Sequence, residues 1–423
     1  MNRKSWSVLA SITFGATLIA GAFQSAAGKV LCVNPRGTKG CYAKIGQAVA
    51  AASPNDTIQV AAGLYKEDVI VGIPLSLIAA NRGAVIDATG LPNGVYIDGM
   101  DNPGLVNVVV AGFTIRNANF EGILATNASS VTLLGNNVME NDKSLNPSGG
   151  VCPGLPPFET EEGFDCGEGI HLSGVDHSIV ANNTSANNSG GILLSDDTAA
   201  THDILVTGNL VLNNPYDCGI TLASHPPATG SSPFGVYHNT IISNVSNRNG
   251  LAVGGGAGIG IFDSVPGAAN YQNVVSNNRL IGNGLPGVAM HSHTPGQTLT
   301  DNVIVGNFIM SNGPDSGDAQ TPGPTGINVF GVSPATGTVV SQNTIVKESV
   351  DVAVKTPAAV DVHLNNLLGG GTGVDNLGGG TSSATENYWG CPAGPGAKGC
   401  SSAAGPGVLS APWLVLRFIG GEF

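Results

Sequence analysis

The chain has 423 residues, of which 62 are glycine and only 11% are charged, and its 16 basic and 29 acidic residues give a formal net charge of −13. An acidic chain with so few Lys and Arg residues argues against nucleic acid and strongly polyanionic ligands as partners. The Gly-rich composition is a poor match to a helical enzyme and favours short strands joined by tight turns.

The first 27 residues have the organisation of a secretory signal peptide. Arg3 and Lys4 precede a mostly apolar segment at 8–23, and Ser25-Ala26-Ala27 offers small residues at a cleavage site. We expect cleavage after Ala27, which gives a secreted or periplasmic chain without membrane attachment. A retained membrane anchor is the alternative interpretation.

The N-terminal part of the mature chain predicts strands followed by a helix and then more strands. A strand is expected at 29–33, and Ala-rich helical periodicity covers 42–52. Further short strands, separated by Gly and Asn, are expected at 57–60, 68–71, 75–79 and 84–87.

Two short motifs then recur through the chain. The first is Gly, an aliphatic residue, any residue and a second aliphatic residue, and its copies are spaced 22, 28 and 29 residues apart where no insertion intervenes. The second contains one or two Asn residues and precedes most copies of the first. Copies of the first motif begin at Gly122, Gly169, Gly191, Gly219, Gly258, Gly287 and Gly326.

A unit of this length cannot bury its own apolar face, so it must stack on copies of itself. A leucine-rich horseshoe would need a helix in each unit and an L-x-x-L-x-L pattern, and neither is present. We therefore predict an all-β fold, a single-stranded right-handed parallel β-helix with a short N-terminal capping helix that protects its open end. The recurring Asn side chains are expected to stack at one corner and hydrogen bond to one another.

Two segments strengthen this prediction by resemblance. The run from Ile45 to Glu67 resembles the entry segment of the pectin-lyase-like right-handed β-helix superfamily, and Glu386-Asn387-Tyr388-Trp389-Gly390 followed by Gly394-Pro395 resembles its closing segment. Members similar in this respect include the group of the periplasmic nitrous-oxide-reductase maturation protein. The resemblance implies one domain over 28–423, with a cap and first coils at 28–70 and a closing segment at 381–423. It implies no single activity, because the superfamily includes lyases, hydrolases, esterases, epimerases and binding proteins.

The seven cysteines suit an exported chain. Cys218 is left without a close neighbour and is expected to be an inert apolar residue of the core, with a free thiol at a cleft as the alternative. The other six are expected to pair, and each pair would close a short loop: Cys32 with Cys41, Cys152 with Cys166, and Cys391 with Cys400.

Insertions point to a groove. Residues 141–168, 245–257 and 312–325 interrupt the repeat before the Gly-Ile strand, whereas 223–237 follows such a strand. Long insertions on one face of a repeat protein usually mark its binding side.

Polar residues collect on the same face. Because the two aliphatic residues of each strand point inward, the residue between them and the residues that follow are expected to point outward. This column predicts catalytic candidates Asp196, Asp197, His225, Asp263, His291 and His293. The substrate-binding candidates are His171 and Phe262 of this column, Glu168 and Asp217, which lead into two of the strands, and the nearby cation Arg248.

The chemistry of these residues leaves several functions open. Asp196 and Asp263, two coils apart, would be separated by about 9.6 Å, near the range of about 6.5–9.5 Å for the two carboxyls of an inverting glycoside hydrolase. Asp196-Asp197 resembles the paired acids of polygalacturonase-type hydrolases, although their Gly-His-Gly and Arg-x-Lys motifs are missing. A lyase or epimerase has only Arg248 and Arg279 as nearby cations. The three aspartates could hold Ca²⁺, and the histidines could hold a transition metal.

We therefore expect a monomeric protein that binds a polysaccharide in an axial groove and hydrolyses it with paired carboxylates, with no required cofactor and Ca²⁺ as an option. A non-catalytic carbohydrate- or metal-binding scaffold is the first alternative, and a polysaccharide lyase or epimerase is the second.

Overall fold

The computed structural model describes residues 28–159, 166–226, 234–252 and 255–419. The predicted signal peptide at 1–27 lies outside these residues. Within the described ranges, no helix is both long enough and apolar enough to cross a bilayer.

The described strands wind into a parallel β-helix, in which each strand pairs with the equivalent strand of the next coil. Three long sheets run along the axis, and a fourth, which the sequence did not predict, has four strands. The first sheet has 14 described strands, Val30–Val33, Asp56–Val60, Leu75–Ala79, Val109–Ala111, Thr132–Leu134, Ile179–Ala181, Leu205–Thr207, Thr240–Ile242, Val274–Ser276, Val303–Val305, Val339–Ser341, Val360–His363, Ser382–Ser383 and Val408–Leu409.

The other three sheets complete the coil. The 12-stranded sheet, again counted over the described ranges, contains Val69–Val71, Val95–Asp98, Ile123–Thr126, Ile170–Ser173, Ile192–Ser195, Ile220–Ser224, Ile259–Asp263, Val288–Ser292, Thr325–Gly331, Val350–Lys355, Thr372–Asn376 and Ser402–Ala404. The 11-stranded sheet contains Gly63–Tyr65, Ala84–Asp87, Thr114–Arg116, Asn137–Met139, Thr184–Ala186, Leu210–Leu212, Val245–Asn247, Arg279–Ile281, Phe308–Met310, Thr344–Val346 and Asn366–Leu368. The four-stranded sheet contains Thr201–His202, Val236–Tyr237, Ala269–Tyr271 and Thr298–Thr300.

The core lies inside the coil and is built from the aliphatic residues of the Gly-Ile motif. Ile192, Ile220 and Ile259 are partners in register on successive strands, and all three are buried. Because the side chains of a strand alternate between its two faces, this register sends the intervening residues to the outer face of the 12-stranded sheet.

A seven-residue helix, Ile45–Ala51, caps the N-terminal end of the coil. Its buried residues Ile45 and Ala48 belong to the main core, and the helix contacts the first strands of two sheets. The Glu67 carboxylate accepts from the backbone N–H groups of Ile45 and Gly46, each at 2.9 Å. The prediction of a capping helix is confirmed, although the helix is shorter than the periodicity at 42–52 indicated.

Asparagine side chains form three ladders rather than the single one expected. In the longest ladder, the side-chain amide of each Asn donates to the side-chain oxygen of the next Asn, one coil further along. The same oxygen also accepts the backbone N–H of the donating Asn. Asn209, for example, donates to Asn244 Oδ1 from its amide at 3.0 Å and from its backbone at 2.9 Å. The members are Asn136, Asn183, Asn209, Asn244, Asn278, Asn307, Asn343, Asn365 and Asn387.

The second ladder lies five residues further along each coil. It runs through Asn141, Asn188, Asn214, Asn249, Asn283 and Asn312. Glu348 ends it by accepting from the Asn312 amide at 3.0 Å. A third, shorter ladder joins Asn239, Asn273 and Asn302. These bonds satisfy the polar groups of the buried corners, where unpaired groups are costly.

The C-terminal segment closes the other end of the coil. Trp389 is fully buried in the main core, and Asn387 continues the long ladder. All three predicted disulfides are present, Cys32–Cys41, Cys152–Cys166 and Cys391–Cys400.

The insertions differ in part from the prediction. Residues 245–247 form a strand of the 11-stranded sheet, so the segment that leaves the coil begins later than expected. The 312–325 insertion precedes the strand Thr325–Gly331 and supplies two aspartates to the outer face of the 12-stranded sheet. The wall expected from 223–237 cannot be followed through 227–233, which lie outside the described residues.

Candidate functional site

The candidate site lies on the outer face of the 12-stranded sheet, where polar residues follow a common register. Ala223, Phe262, His291 and Phe330 are partners on four consecutive strands. Since neighbouring strands are about 4.8 Å apart, this column brings residues distant in sequence into contact.

A first cluster surrounds the Asp197 carboxylate. Ser195 Oγ donates to Asp197, and His171 Nε2 lies 2.8 Å from Ser195 Oγ and 3.8 Å from Asp197 Oδ2. His225 Nδ1 lies 3.6 Å from Asp197 Oδ1. Burial alone would raise the pKa of Asp197, but the hydrogen bond and charge of His225, with help from His171 and Ser195, hold it well below its usual range. A carboxylate is therefore available to orient His225.

His171 differs from the exposed substrate-binding residue that the column predicted. It points outward in register, yet only 3% of it is exposed. Burial outweighs the neighbouring Asp197 charge and lowers the pKa of His171 to about 4, so the ring is neutral at pH 7.

Asp196 and Asp263 are two strands apart, as predicted, with Ser224 between them in register. Both carboxyls are fully buried, so neither lies on the accessible surface of the site. Asp196 accepts from Ser224 Oγ at 2.9 Å and from the backbone N–H of His225 at 2.5 Å, and Asp263 accepts from the Asn270 amide at 2.9 Å. Burial raises the pKa of Asp196 to about 6 and that of Asp263 to about 7.

A second cluster surrounds His291. Its Nε2 lies 3.1 Å from Asp315 Oδ2, and its Nδ1 lies 3.4 Å from Asp318 Oδ2. His293 Nε2 lies 3.4 Å from the same Asp318 oxygen. Burial would lower the pKa of His291, but its hydrogen bonds with both aspartates and their charges raise it.

A depression with a cavity volume of about 190 Å³ joins the two clusters. Phe262 lies between them, with its ring centroid 5.1 Å from that of His291. The other lining residues are Asp217, Cys218, Thr221, Ala223, His225, Gly255, Leu285, His291, His293 and Asp318.

The acids that lead into the strands form a row beside this depression. Glu168 lies near Glu121 and His171, with one ligand atom of each within 4.8 Å of the others. A side chain built at Gly190 would contact both Glu168 Oε1 and Asp217 Oδ2, so these two carboxylates lie on either side of that glycine. Burial raises the pKa of Glu121 to about 7.

The predicted site residues therefore separate into three groups. His225, His291, His293, Asp217 and Phe262 line the depression. Asp196, Asp197, Asp263, His171 and Glu168 are buried beside it. Arg248 is not among the lining residues: it is exposed after the strand Val245–Asn247 of the 11-stranded sheet, and its side chain lies over Gly282.

Sequence reasoning missed four residues of the second cluster, Asp315, Asp318, Asn328 and Phe330. Asn328 occupies the variable position of the motif that begins at Gly326, so extending the outward column by one strand would have found it. The two aspartates lie in the 312–325 insertion, and their approach to His291 depends on how that loop folds.

A separate group of aromatic residues lies on the four-stranded sheet. His202, Tyr237 and Tyr271 stack at successive centroid distances of 4.7 Å. Asp203 lies near His202 and His177, and these three could also hold a metal ion. The strands here have two or three residues. Such strands are too short to show the alternation of apolar and polar residues that marks a strand in a sequence.

Cys218 is expected to be chemically unreactive in the folded protein. Although it is among the residues around the depression, only 1% of it is exposed, and burial raises the pKa of its thiol well above the usual value. Iodoacetamide at pH 8 should label it only after denaturation, because the thiolate is the reactive species. Mass spectrometry of native and denatured samples measures this, and rapid labelling of the native protein would contradict it.

Comparison with known proteins bears on the fold. A family model described as a right-handed β-helix region matches residues 89–264. The chain is a right-handed parallel β-helix protein. This confirms the predicted fold class and the resemblance to the pectin-lyase-like superfamily. No curated protein matches the chain at a significant level.

Solved structures share this fold with the β-helix protein at low sequence identity. DFA-IIIase from Arthrobacter chlorophenolicus A6 in complex with GF2 is 12% identical with a TM-score of 0.56, and the alignment covers 91% of this chain and 100% of that one. The Streptococcus pneumoniae surface protein and adhesin PfbA is 14% identical with a TM-score of 0.54, covering 86% and 93%. At these identities the similarity establishes the architecture alone.

Proposed function

We propose that the β-helix protein binds a carbohydrate in the depression of the 12-stranded sheet and hydrolyses a glycosidic bond there. The observation that supports this most is the lining itself, which combines the Phe262 ring with the carboxylates Asp217 and Asp318 and three imidazoles. An aromatic ring offers an apolar surface for a sugar ring, and carboxylates are the usual acids and bases of glycoside hydrolysis.

Asp217 and Asp318 are the proposed reacting pair. Asp217 leads into the strand Ile220–Ser224, and Asp318 contacts His291 and His293 at the end of Val288–Ser292, two strands further along the axis. Both carboxylates line the depression, so each can approach a sugar bound there. Hydrogen bonds with His291 and His293 hold the pKa of Asp318 well below its usual range, so this carboxyl is ionised and can accept a hydrogen bond from a water molecule.

The buried acids predicted from sequence have a supporting role in this proposal. Asp197 orients His225 through its side chain, and Asp196 accepts from the backbone of His225. The carbonyl of Asp263 accepts from His293 Nδ1 at 2.8 Å. The carboxyls of Asp196 and Asp197 and the backbone carbonyl of Asp263 thus position two imidazoles of the lining without touching the sugar.

Complexes of one similar protein support a carbohydrate ligand. DFA-IIIase has been solved in complexes with GF2 and with DFA-III. A uronate lyase is less well supported, because among the described residues no Lys or Arg lines the depression to neutralise an acidic sugar. The proposed export of the chain agrees with an extracellular glycan as substrate.

The test is a panel of neutral and acidic glycans, assayed for new reducing ends and for the absorbance of unsaturated uronates. We expect reducing ends from a neutral glycan. Asp318→Asn should lower kcat about 10²–10⁴-fold, as expected for loss of a general base. Asp361→Asn, a half-exposed carboxylate on the 14-stranded sheet, is the matched control and should leave kcat unchanged.

Three other outcomes would contradict this proposal. Glycan binding without cleavage would identify a binding protein, and unsaturated products would identify a lyase. Equal activity of the Asp318→Asn and Asp361→Asn variants would show that the reaction takes place outside this depression.

A further inference from the structure

Three potential ligand atoms converge at one side of the depression. Asp318 Oδ2 lies 3.4 Å from His291 Nδ1 and 3.4 Å from His293 Nε2. All three atoms lie within 4.8 Å of one another. His291 and His293 are alternate residues at the end of one strand, and Asp318 reaches them from the 312–325 insertion, so both the coil and the loop contribute.

Outer hydrogen-bond partners determine which imidazole nitrogens can act as ligands. His293 Nδ1 lies 2.8 Å from the backbone carbonyl of Asp263, which can only accept, so Nδ1 carries the proton and Nε2, which faces Asp318, is the nitrogen that can act as a ligand. This tautomer is assigned from the partner atom.

His291 has the complementary arrangement. Its Nε2 faces Asp315 Oδ2 at 3.1 Å, and the Asn328 amide donates to the same oxygen at 2.6 Å. The Asn328 amide nitrogen also lies 2.9 Å from His291 Nε2, so Asp315 and Asn328 together occupy that side of the ring. Nδ1 is the nitrogen of His291 that faces Asp318.

Two imidazole nitrogens and a carboxylate oxygen therefore converge within 4.8 Å of one another, close enough to share one cation. We propose that His291 Nδ1, His293 Nε2 and Asp318 bind a divalent first-row transition metal ion such as Zn²⁺. Two imidazoles and one carboxylate form a donor set that suits such ions and that leaves coordination positions open. The open side faces the depression, since all three residues line it.

The outer partners match those that orient metal ligands elsewhere. A ligating histidine commonly donates its second N–H to a carboxylate or a backbone carbonyl, and here His291 has the Asp315 carboxylate and His293 has the Asp263 carbonyl.

The metal site lies in the same depression as the proposed function. It is inferred from side-chain geometry alone, so it can be tested without a glycan. Full-length protein is freed of metal with a chelator and titrated with Co²⁺, whose visible absorption reports nitrogen and oxygen ligation, and with Zn²⁺ by calorimetry. We expect one ion per chain at this site. His293→Gln and Asp318→Asn should each weaken binding by more than about 100-fold, and Asp315→Asn by about 10–100-fold.

His363→Gln is the matched control, because His363 lies on the 14-stranded sheet beside Asp361 and should not affect the ion. Circular dichroism confirms that each variant is folded; His293 and Asp318 are partly exposed, with side chains 30% and 41% accessible, so both replacements are expected to fold. The proposal is overturned if the folded wild type binds no ion, or if His293→Gln and Asp318→Asn bind as tightly as His363→Gln. Glycan hydrolysis that survives metal removal would leave the proposed function intact while restricting the ion to a binding role.

Discussion

Replacing Asn244 with Ala is expected to lower the free energy of unfolding by about 3–6 kcal/mol, because it interrupts the long asparagine ladder at its centre. Asn244 Oδ1 accepts from the backbone and the amide of Asn209, and its own amide donates to the Val206 carbonyl and to Asn278. The site is buried, so water cannot replace these partners. Each buried group left unpaired costs about 1–3 kcal/mol.

Equilibrium urea denaturation, followed by circular dichroism, measures this loss. Asn137→Ala is the control, since Asn137 is a half-buried strand residue whose amide lies 4.0 Å from the Met139 sulfur and is outside the ladders. Its expected change is within about 0.5 kcal/mol. If the two variants lose equal stability, the ladder has no special role in holding the coils together.

Replacing Asp263 with Asn is expected to stabilise the protein by about 2–4 kcal/mol at pH 8 and by a smaller amount, about 1–2 kcal/mol, at pH 5. Burial raises the pKa of Asp263 from 3.8 to about 7, with a further contribution from the Asp196 charge, although the Asn270 hydrogen bond lowers it. The folded state therefore holds a proton that the unfolded state releases. The stability from this proton is fully present below about pH 4 and is lost as the pH rises through about 7. Asparagine stays neutral, so it avoids that loss.

Urea denaturation of the wild type and the Asp263→Asn variant at pH 5 and pH 8 tests the sign of the change in the free energy of unfolding. Asp361→Asn should change stability by less than about 0.5 kcal/mol at either pH, because its side chain is half exposed. A destabilised Asp263→Asn variant at pH 8 would mean that the carboxylate is ionised and needed in the fold.

The fold could be predicted because its repeat is visible in the residues themselves. Apolar pairs such as Ile220 and Leu222 recur with glycine at a nearly constant spacing, and only stacking buries them. The second ladder is also visible as a pattern in the sequence, because each of its members lies five residues after a member of the first ladder, as with Asn209 and Asn214. Glu348 follows Asn343 by the same interval, which is why it can end that ladder.

The site was less predictable, because burial depends on loops. The outward column brought His225 and His291 together, but the register alone does not say that Asp196 and Asp263 are enclosed. Asp318 reaches His291 only through the path of an insertion, and no periodic pattern specifies such a path.

The ladders also restrict how this protein can change in length. An amide at a corner has its partner one full coil away, so a deletion or duplication keeps the chain of amides unbroken only when it comprises a complete turn. Removal of residues 191–218, for instance, would take out Asn209 and Asn214 together and bring Asn183 next to Asn244 and Asn188 next to Asn249. Lengthening in evolution is thereby confined to discrete steps, while the loops at the corners remain free to vary residue by residue.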